Sequence, residues 1–277
     1  MTGALRRFGT VVLTGATSGI GAATAALLAR RTDLLVVHGP ERAEQVAELL
    51  NGWRTAGARV EYVSADFSRL DAVVRAAEQI RDLAPDGIDL LINNAAVPGA
   101  PERRLTGDGF ERTLQVNALA PALLTRMLVP ALAENARIVN VASSAHRVER
   151  FHFDDIDLSH GYSPVAAYAR AKLAMVTWSS LLAEEEAGTS TTVVALCPGL
   201  NDTPLSAAMM GHVGGPASHG ADRVLFAATA PSLPSGSYLE DDRIVPPSAE
   251  VTHPDNRARL IELYVTRLTP RGVGSRS

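Results

Sequence analysis

Near the N-terminus, Val11-Val12-Leu13-Thr14-Gly15-Ala16-Thr17-Ser18-Gly19-Ile20-Gly21 joins an apolar, β-branched run to a helix start through a turn built on glycine. No other stretch restricts the fold as much. Gly15 allows the sharp turn, Gly19 lets the backbone come close to a pyrophosphate, and Gly21 permits a helix to pack tightly on the strand. Phosphate then rests on free amides at the positive end of the helix, which makes Gly15, Thr17, Ser18, Gly19, Ile20 and Gly21 candidate cofactor-binding residues. The turn follows the first strand and opens a helix, the context in which a glycine triplet carries meaning; a purely structural glycine turn is the alternative.

The rest of the first half alternates in the same way. Residues 10–13, 34–37, 60–65, 90–93, 138–142 and 193–196 read as buried strands, and crossover helices fit 20–30, 42–53, 110–132 and 165–186. A further helix is marked by Leu70, Val73, Val74, Ala77 and Ile80, which share one apolar face while Arg69, Arg75, Glu78 and Arg81 lie elsewhere. Parallel strands covered on both faces predict an α/β fold with one doubly wound, Rossmann-type sheet. A length of 277 residues fits one large domain or two small ones. No linker divides the chain, so residues 1–277 read as a single dinucleotide-binding domain. Two irregular stretches, at about 144–164 and 200–220, fall where such folds place substrates; the second, rich in Gly, Pro, Ser and Met, reads as a mobile flap.

Composition narrows the function classes. The 26 basic and 30 acidic residues give a net charge of -4 with the signs interspersed, which argues against nucleic acid or an anionic membrane as partner. Cys197 is the only cysteine, so an intramolecular disulfide and a cysteine-rich metal site are excluded, and its place after 193–196 suggests a packed strand residue. The seven histidines show no metal-binding spacing, so no metal is expected; His146 and His152 are candidates for lining a pocket. Arg6 and Arg7 precede an apolar run of only Val11 to Leu13, and no segment approaches the roughly 20 apolar residues of a membrane span, so the expectation is a cytoplasmic protein.

Tyr168 and Lys172 in Tyr-Ala-Arg-Ala-Lys share a helix face, where an ammonium can favour the ionised phenol and make it a usable acid or base. Alone, that spacing also fits a solvated surface pair. The surrounding motifs decide it. The Thr-Gly-x-x-x-Gly-Ile-Gly turn, Asn93-Asn94-Ala95-Ala96, Asn117 in Val-Asn-Ala-Leu-Ala, Ser143 after Ile-Val-Asn-Val-Ala, the Tyr-x-x-x-Lys pair and Pro198-Gly199 with Thr203 together resemble the classical short-chain dehydrogenase/reductase family over most of the chain. Ser-Ser-Ala-His, Phe153 to Leu158 and Ser-Gly-Ser-Tyr-Leu-Glu-Asp are similar to its retinol-dehydrogenase-like branch.

The resemblance implies a catalytic set of Asn117, Ser143, Tyr168 and Lys172 and an oxidoreductase that moves hydride between a nicotinamide and a carbonyl or alcohol. Asp66 and Phe67, Asn93 and Ala95, Tyr168 and Lys172, and Pro198, Gly199 and Thr203 are implied along the cofactor. Ser144 would replace Ser143 if the register slipped by one, although strand alternation favours Ser143. Ala96 departs from the family's glycine. After the second strand, His38-Gly39-Pro40-Glu41-Arg42 lacks an acid at the strand tip and brings Arg42 nearby, which favours NADP(H) over NAD(H). Arg42 reads equally well as a solvated residue.

The substrate is expected to be a small molecule, bulky and apolar, from Leu205, Met209, Met210 and the phenylalanines of the insertion. A non-redox reaction on the same site (epimerisation, dehydration or cyclisation) and a non-catalytic NADP(H) sensor are the alternatives. Family members often form homo-oligomers through the two long helices, here 110–132 and 165–186, with the insertion before Tyr168 placed to block that face.

Overall fold

The computed structural model describes residues 7–268; Arg6 and the two ends of the expected 1–277 domain lie outside the described residues. Its frame is an eight-stranded sheet in the order β10-β9-β6-β5-β4-β1-β2-β3. The strands are β1 (Phe8–Leu13), β2 (Thr32–Gly39), β3 (Arg59–Ser64), β4 (Ile88–Asn93), β5 (Leu132–Val141), β6 (Thr192–Cys197), β9 (Tyr238–Glu240) and β10 (Arg243–Ile244). All neighbours run parallel except β10, which returns antiparallel on β9. The order reverses at β1, which lies between β2 and β4; this is the switch point at which open α/β sheets leave a crevice for a ligand.

Helices cover both faces because the strands present apolar side chains to both. Val12, Val36, Val63, Leu91 and Ile138 pack toward α3 (Leu70–Leu83), α5 (Ala120–Leu128) and α6 (Pro164–Glu185) in one core. Val11, Leu13, Leu35, Val37, Leu90 and Ile92 alternate to the other face, under α1 (Gly19–Leu28), α2 (Ala47–Thr55) and α8 (Ala217–Thr229). The six strands expected from the sequence are all present.

Two expectations are revised. The helix expected over 110–132 is α4 (Arg112–Leu114), a π-helical segment Gln115–Leu119, and α5. Pro121 has no N–H to return to Asn117, and the ladder widens just before it, with Ala120 N bonding to Gln115 O. The segment read as a flap contains β7 (Asn201–Asp202) paired with β8 (Gly215–Pro216), and α7 (Pro204–Met210) capped by the Thr203 hydroxyl. The C-terminal α9 (Ala249–Thr252) and α10 (Pro254–Leu268) pack on α6, which is buried along most of its length. Part of α6 is therefore covered by the chain's own C-terminal helices.

No helix among the described residues is long and apolar enough to cross a membrane.

Candidate active site

The loops leaving the C-terminal ends of β1 to β6 enclose a cavity of about 680 Å³. At its phosphate end the turn after β1 is fixed by a knot of hydrogen bonds. The Thr14 hydroxyl accepts from the amides of Asn94 (3.0 Å) and Ala95 (3.1 Å), while Asn94 Nδ2 donates to the carbonyls of Thr14 (3.0 Å) and Gly15 (2.9 Å). Gly21 packs so closely that a Cβ there would lie 2.0 Å from Gly15 O. Ser18 at the start of α1 makes no side-chain cap, so the first-turn amides are left for an anion. Thr203 closes over this end, with its methyl 3.2 Å from where a Gly19 Cβ would stand. These features fit the pyrophosphate of a dinucleotide.

At the adenosine end the wall is His38, Pro40, Glu41, Ala65, Asp66 and Phe67. His38 stacks on Phe67 at 4.1 Å, approaches Ala65 O through Nε2 (2.9 Å), and accepts from Gly15 N–H at Nδ1 (3.3 Å). Burial lowers its pKa to about 4, so the ring is neutral and both bonds are held together at ordinary pH. The imidazole thus ties β2 to the glycine turn. His38 and Glu41 are site residues that the sequence motifs do not assign; alternation along β2 is the signal for His38.

At the reaction end Ser143, Tyr168 and Lys172 line one wall. Ser143 ends the extended run after β5, where its Oγ accepts from Ala145 N at 3.2 Å and caps a 3-10 turn over Ser144–Arg147. Ser163 caps α6 through its hydroxyl and so fixes the helix that carries Tyr168 and Lys172. Lys172 is buried, donates to Val141 O at 2.9 Å, and lies 5.5 Å from the Tyr168 ring centre. Burial pushes the Tyr168 phenol above its usual pKa, and hydrogen bonding with Ser143 opposes that only in part. Burial also lowers Lys172 to about 8. Desolvation is thus the dominant influence on the Tyr168 phenol as the side chains stand, and it acts against the lowering expected from Lys172. Of the two adjacent serines, both line the cavity and Ser143 is the one bonded to the phenol.

Other expected site residues fall elsewhere. Gly15, Thr17, Ser18, Gly19, Ile20, Gly21, Asp66, Phe67, Ala95, Pro198, Gly199 and Thr203 line the cavity; Asn93, Asn117 and Arg42 do not. Asn93 Nδ2 donates to Thr125 Oγ1 (2.9 Å) and Asn140 Oδ1 (2.8 Å), and Asn140 continues to Ser179 (2.9 Å), a buried chain that stitches β4 and β5 to α5 and α6. The neighbouring Asn94 reaches the cavity instead. Asn117 brackets the backbone of Val97, accepting from its N–H at 2.8 Å and donating to its carbonyl at 2.9 Å, and so shapes the loop after β4. Arg42 is exposed at the start of a 3-10 turn. His146 is buried with both ring nitrogens engaged, by Ser143 O (2.8 Å) and Ser248 N–H (3.0 Å), and neither it nor His152 lines the cavity. Cys197, Arg112 and Val116 do line it.

The remaining wall is apolar: Ala145, Val148, Val165, Leu200, Leu205, Met209 and Met210. Four of these, Val148, Val165, Leu200 and Met210, are large hydrophobic side chains left more than half exposed at the rim. Such a rim suits a bulky apolar ligand.

The family model for short chain dehydrogenase matches residues 9–212. Human retinol dehydrogenase 13 is 37% identical over 201 residues, 71% of this chain and 60% of its own, so the match spans less than two thirds of that relative. DnrU of Streptomyces sp. (strain C5), which bears the name of a daunorubicin C-13 ketoreductase, is 35% identical over 91% of this chain and 90% of its own. Among solved structures, an uncharacterized protein from Mycobacterium paratuberculosis superposes with a TM-score of 0.78 at 33% identity, covering 95% of both chains. The landomycin C-6 ketoreductase LanV, crystallised with NADP and rabelomycin, gives a TM-score of 0.67 at 27% identity over 84% of this chain and 96% of its own.

Proposed function

The chain belongs to the short-chain dehydrogenase/reductase family of oxidoreductases, and we propose that it reduces the carbonyl of a bulky, largely apolar small molecule with Tyr168 as proton donor. The observation that carries this reading is the meeting, in one cavity, of the glycine turn, the Ser143, Tyr168 and Lys172 wall, and an apolar rim. When bound, a nicotinamide dinucleotide supplies the hydride. Its pyrophosphate would rest on the amides of the Gly15 to Gly21 turn, and Lys172 and Thr203 would hold its nicotinamide half.

The protein's own residues manage the charge. Ser143 donates a hydrogen bond to the substrate oxygen as negative charge grows there, and Tyr168 passes its proton to the same atom. A phenol held above its usual pKa keeps that proton through the neutral range, which suits reduction. The Lys172 ammonium, near pKa 8, is largely charged at pH 7 and steadies the tyrosinate left behind. Asn117 acts at one remove, by fixing Val97 in the cavity wall. The NADP carried by LanV supports NADP(H) as a cofactor class for this reading, while Arg42, the expected 2′-phosphate partner, stands outside the cavity wall. DnrU and LanV, both named for ketoreduction, point to polycyclic aromatic ketones as the first substrates to try. Residues 1–277 are proposed to work as one domain, with 144–164 and 200–220 forming the substrate walls.

The test is Tyr168→Phe. Cofactor affinity should stay within about twofold, while turnover of a ketone panel falls about a hundred- to ten-thousand-fold. Retained wild-type turnover would remove Tyr168 from the chemistry. Reduced cofactor consumed mole for mole with ketone separates reduction from a non-redox rearrangement.

A further inference from the structure

Ser143 is held from behind by a side chain that does not line the cavity. His146, third residue of the 3-10 turn that Ser143 caps, is wholly buried outside the cavity wall. Its Nδ1 lies 2.8 Å from the Ser143 carbonyl oxygen, and its Nε2 lies 3.0 Å from the amide nitrogen of Ser248, 102 residues further along the chain. A carbonyl only accepts and an amide N–H only donates, so the ring carries its proton on Nδ1 and offers the lone pair of Nε2. That is one tautomer of the neutral ring. Burial holds the His146 pKa below the ordinary histidine value and Arg147 acts the same way, while the Ser143 carbonyl and Glu240 oppose them.

The two partners of the ring have different duties. Ser143 is bonded to the Tyr168 phenol, its Oγ accepts from Ala145 N–H at 3.2 Å, and its carbonyl accepts from His146 N–H (3.2 Å) as well as from the ring. Ser248 opens α9, which packs on α6. The segment around Ser248 is joined to the serine turn independently of the imidazole. Arg147 donates to Glu240 (3.1 Å) and to Pro246 O (2.8 Å), and Phe151 N–H donates to Glu250 (3.3 Å). Tyr238 closes the side of the imidazole edge-on, with ring centres 4.8 Å apart. This seam places Ser248, Ser248 N–H places the ring, and the ring places the Ser143 carbonyl. None of Arg147, Tyr238, Glu240 and Ser248 lines the cavity.

Resting on the reading in which Ser143 bonds the substrate oxygen, we propose that His146 is a positioning residue for reduction: it ties the Ser143 carbonyl to the segment after β9 and so sets the direction in which Ser143 Oγ meets the substrate and Tyr168. The Ser143-Ser144-Ala145-His146 run then has physical content. Serine and ring stand three residues apart, one 3-10 turn, the spacing that folds the imidazole back onto the serine carbonyl.

The test is a double-mutant cycle between His146 and Ser143, read as kcat on a ketone panel. In His146→Gln the amide can replace Nε2 toward Ser248 and leaves the Ser143 carbonyl without its Nδ1 donor. There kcat should fall about ten- to a hundredfold, the cost of a misplaced reacting group, with dinucleotide affinity and ketone KM within about twofold of wild type. In a Ser143→Ala background the same change should cost less than about twofold, because no hydroxyl remains to be aimed. Ser248→Pro reaches the ring from its far side. Ser248 stands at φ −57°, which proline adopts, so its N–H is removed without backbone strain. The hydroxyl cap on Glu250 N–H (3.3 Å) is lost equally in Ser248→Ala, the control that keeps the amide. Relative to that control, kcat in Ser248→Pro should fall about three- to tenfold, and again only where Ser143 is present. If His146→Gln fails to fold, the Ser248 pair carries the cycle. A kcat unmoved in these variants, equal losses with and without Ser143, or a loss of dinucleotide affinity as large as the loss of kcat would make His146 a packing residue and overturn the proposal, with the reductase reading untouched. Wild-type turnover in Ser143→Ala would remove Ser143 from the chemistry, and that part of the reading would fall together with the proposal.

Discussion

The two ends of the cavity are built from different material. At the phosphate end the chemistry is backbone: amides of a glycine turn, placed by Thr14, Asn94 and His38 and sealed by contacts too close for any side chain at Gly21. At the substrate end it is side chain: Val148, Leu200 and Met210, large, apolar and left in solvent at the rim. A backbone site admits one geometry and one ligand class. A rim of flexible apolar side chains accepts many shapes. On the proposed reading, a dinucleotide would be fixed by the fold and the substrate left to a surface that can change without disturbing it.

The largest effect should come from filling the backbone end. In Gly21→Ala the new methyl would stand 2.0 Å from Gly15 O and 2.6 Å from Asn94 Nδ2, both held in the knot beneath the turn. Helix α1 would have to move off β1. We expect a loss of roughly 3 kcal/mol or more in urea unfolding, and dinucleotide affinity reduced beyond measurement by fluorescence titration. Gly52→Ala is the control, because a Cβ there meets nothing within 4 Å and Gly52 lies inside α2. It should gain about 0.5–1 kcal/mol. Equal behaviour of the two variants would break the distinction between a backbone site and an ordinary helix.

An intermediate effect belongs to Lys172, where function and stability oppose each other. Its pKa is about 8 in the folded chain against roughly 10.4 unfolded, a depressed value, so both states carry the proton below pH 8 and the penalty of burying it is full there. Between pH 8 and about 10.4 the folded chain gives up its proton first, and stability rises with pH. Lys172→Met should therefore be more stable than the wild type at pH 7 by on the order of 1–3 kcal/mol, with the gain fading by about pH 10.5. Cofactor binding and turnover should fall together. A variant less stable at every pH would show that the bond to Val141 O outweighs desolvation.

How much was legible follows the same division. The six core strands and the glycine turn were readable because their signals are local: β-branched runs, and a residue type that only one backbone geometry requires. The short β9 and β10 were not, since Tyr238–Glu240 is a strand only through pairing along β6 and Arg243–Ile244 only through its return on β9. Tyr168, Ser143 and Lys172 were readable by motif, but the direction of the Tyr168 pKa shift was not, because burial is a property of the packed helix and not of the i, i+4 spacing. Asn93 and Asn117 were readable as polar residues with a purpose, but not the buried partners that hold them, which lie on other elements or twenty residues away. Glu41 was invisible for a related reason: its approach to Gly39 depends on a loop conformation held by Tyr62 and Ser64, more than twenty residues away in sequence.

The smallest effect on stability should come from the rim, where it sharpens the comparison most. Leu200 and Met210 are 54% and 57% exposed, so truncating them removes little buried surface. Leu200→Ala and Met210→Ala should unfold within about 0.5 kcal/mol of the wild type and bind dinucleotide unchanged. Their cost should appear in KM for a large ketone, about fourfold for each methylene the substrate had covered, at roughly 0.8 kcal/mol apiece. A small ketone, which leaves the rim bare, should show no change. The ratio of kcat/KM for large over small ketones is the measurement. If it stays constant, the rim does not touch the substrate, and Ala145 and Leu205, half-buried in the same wall, become the residues that select it.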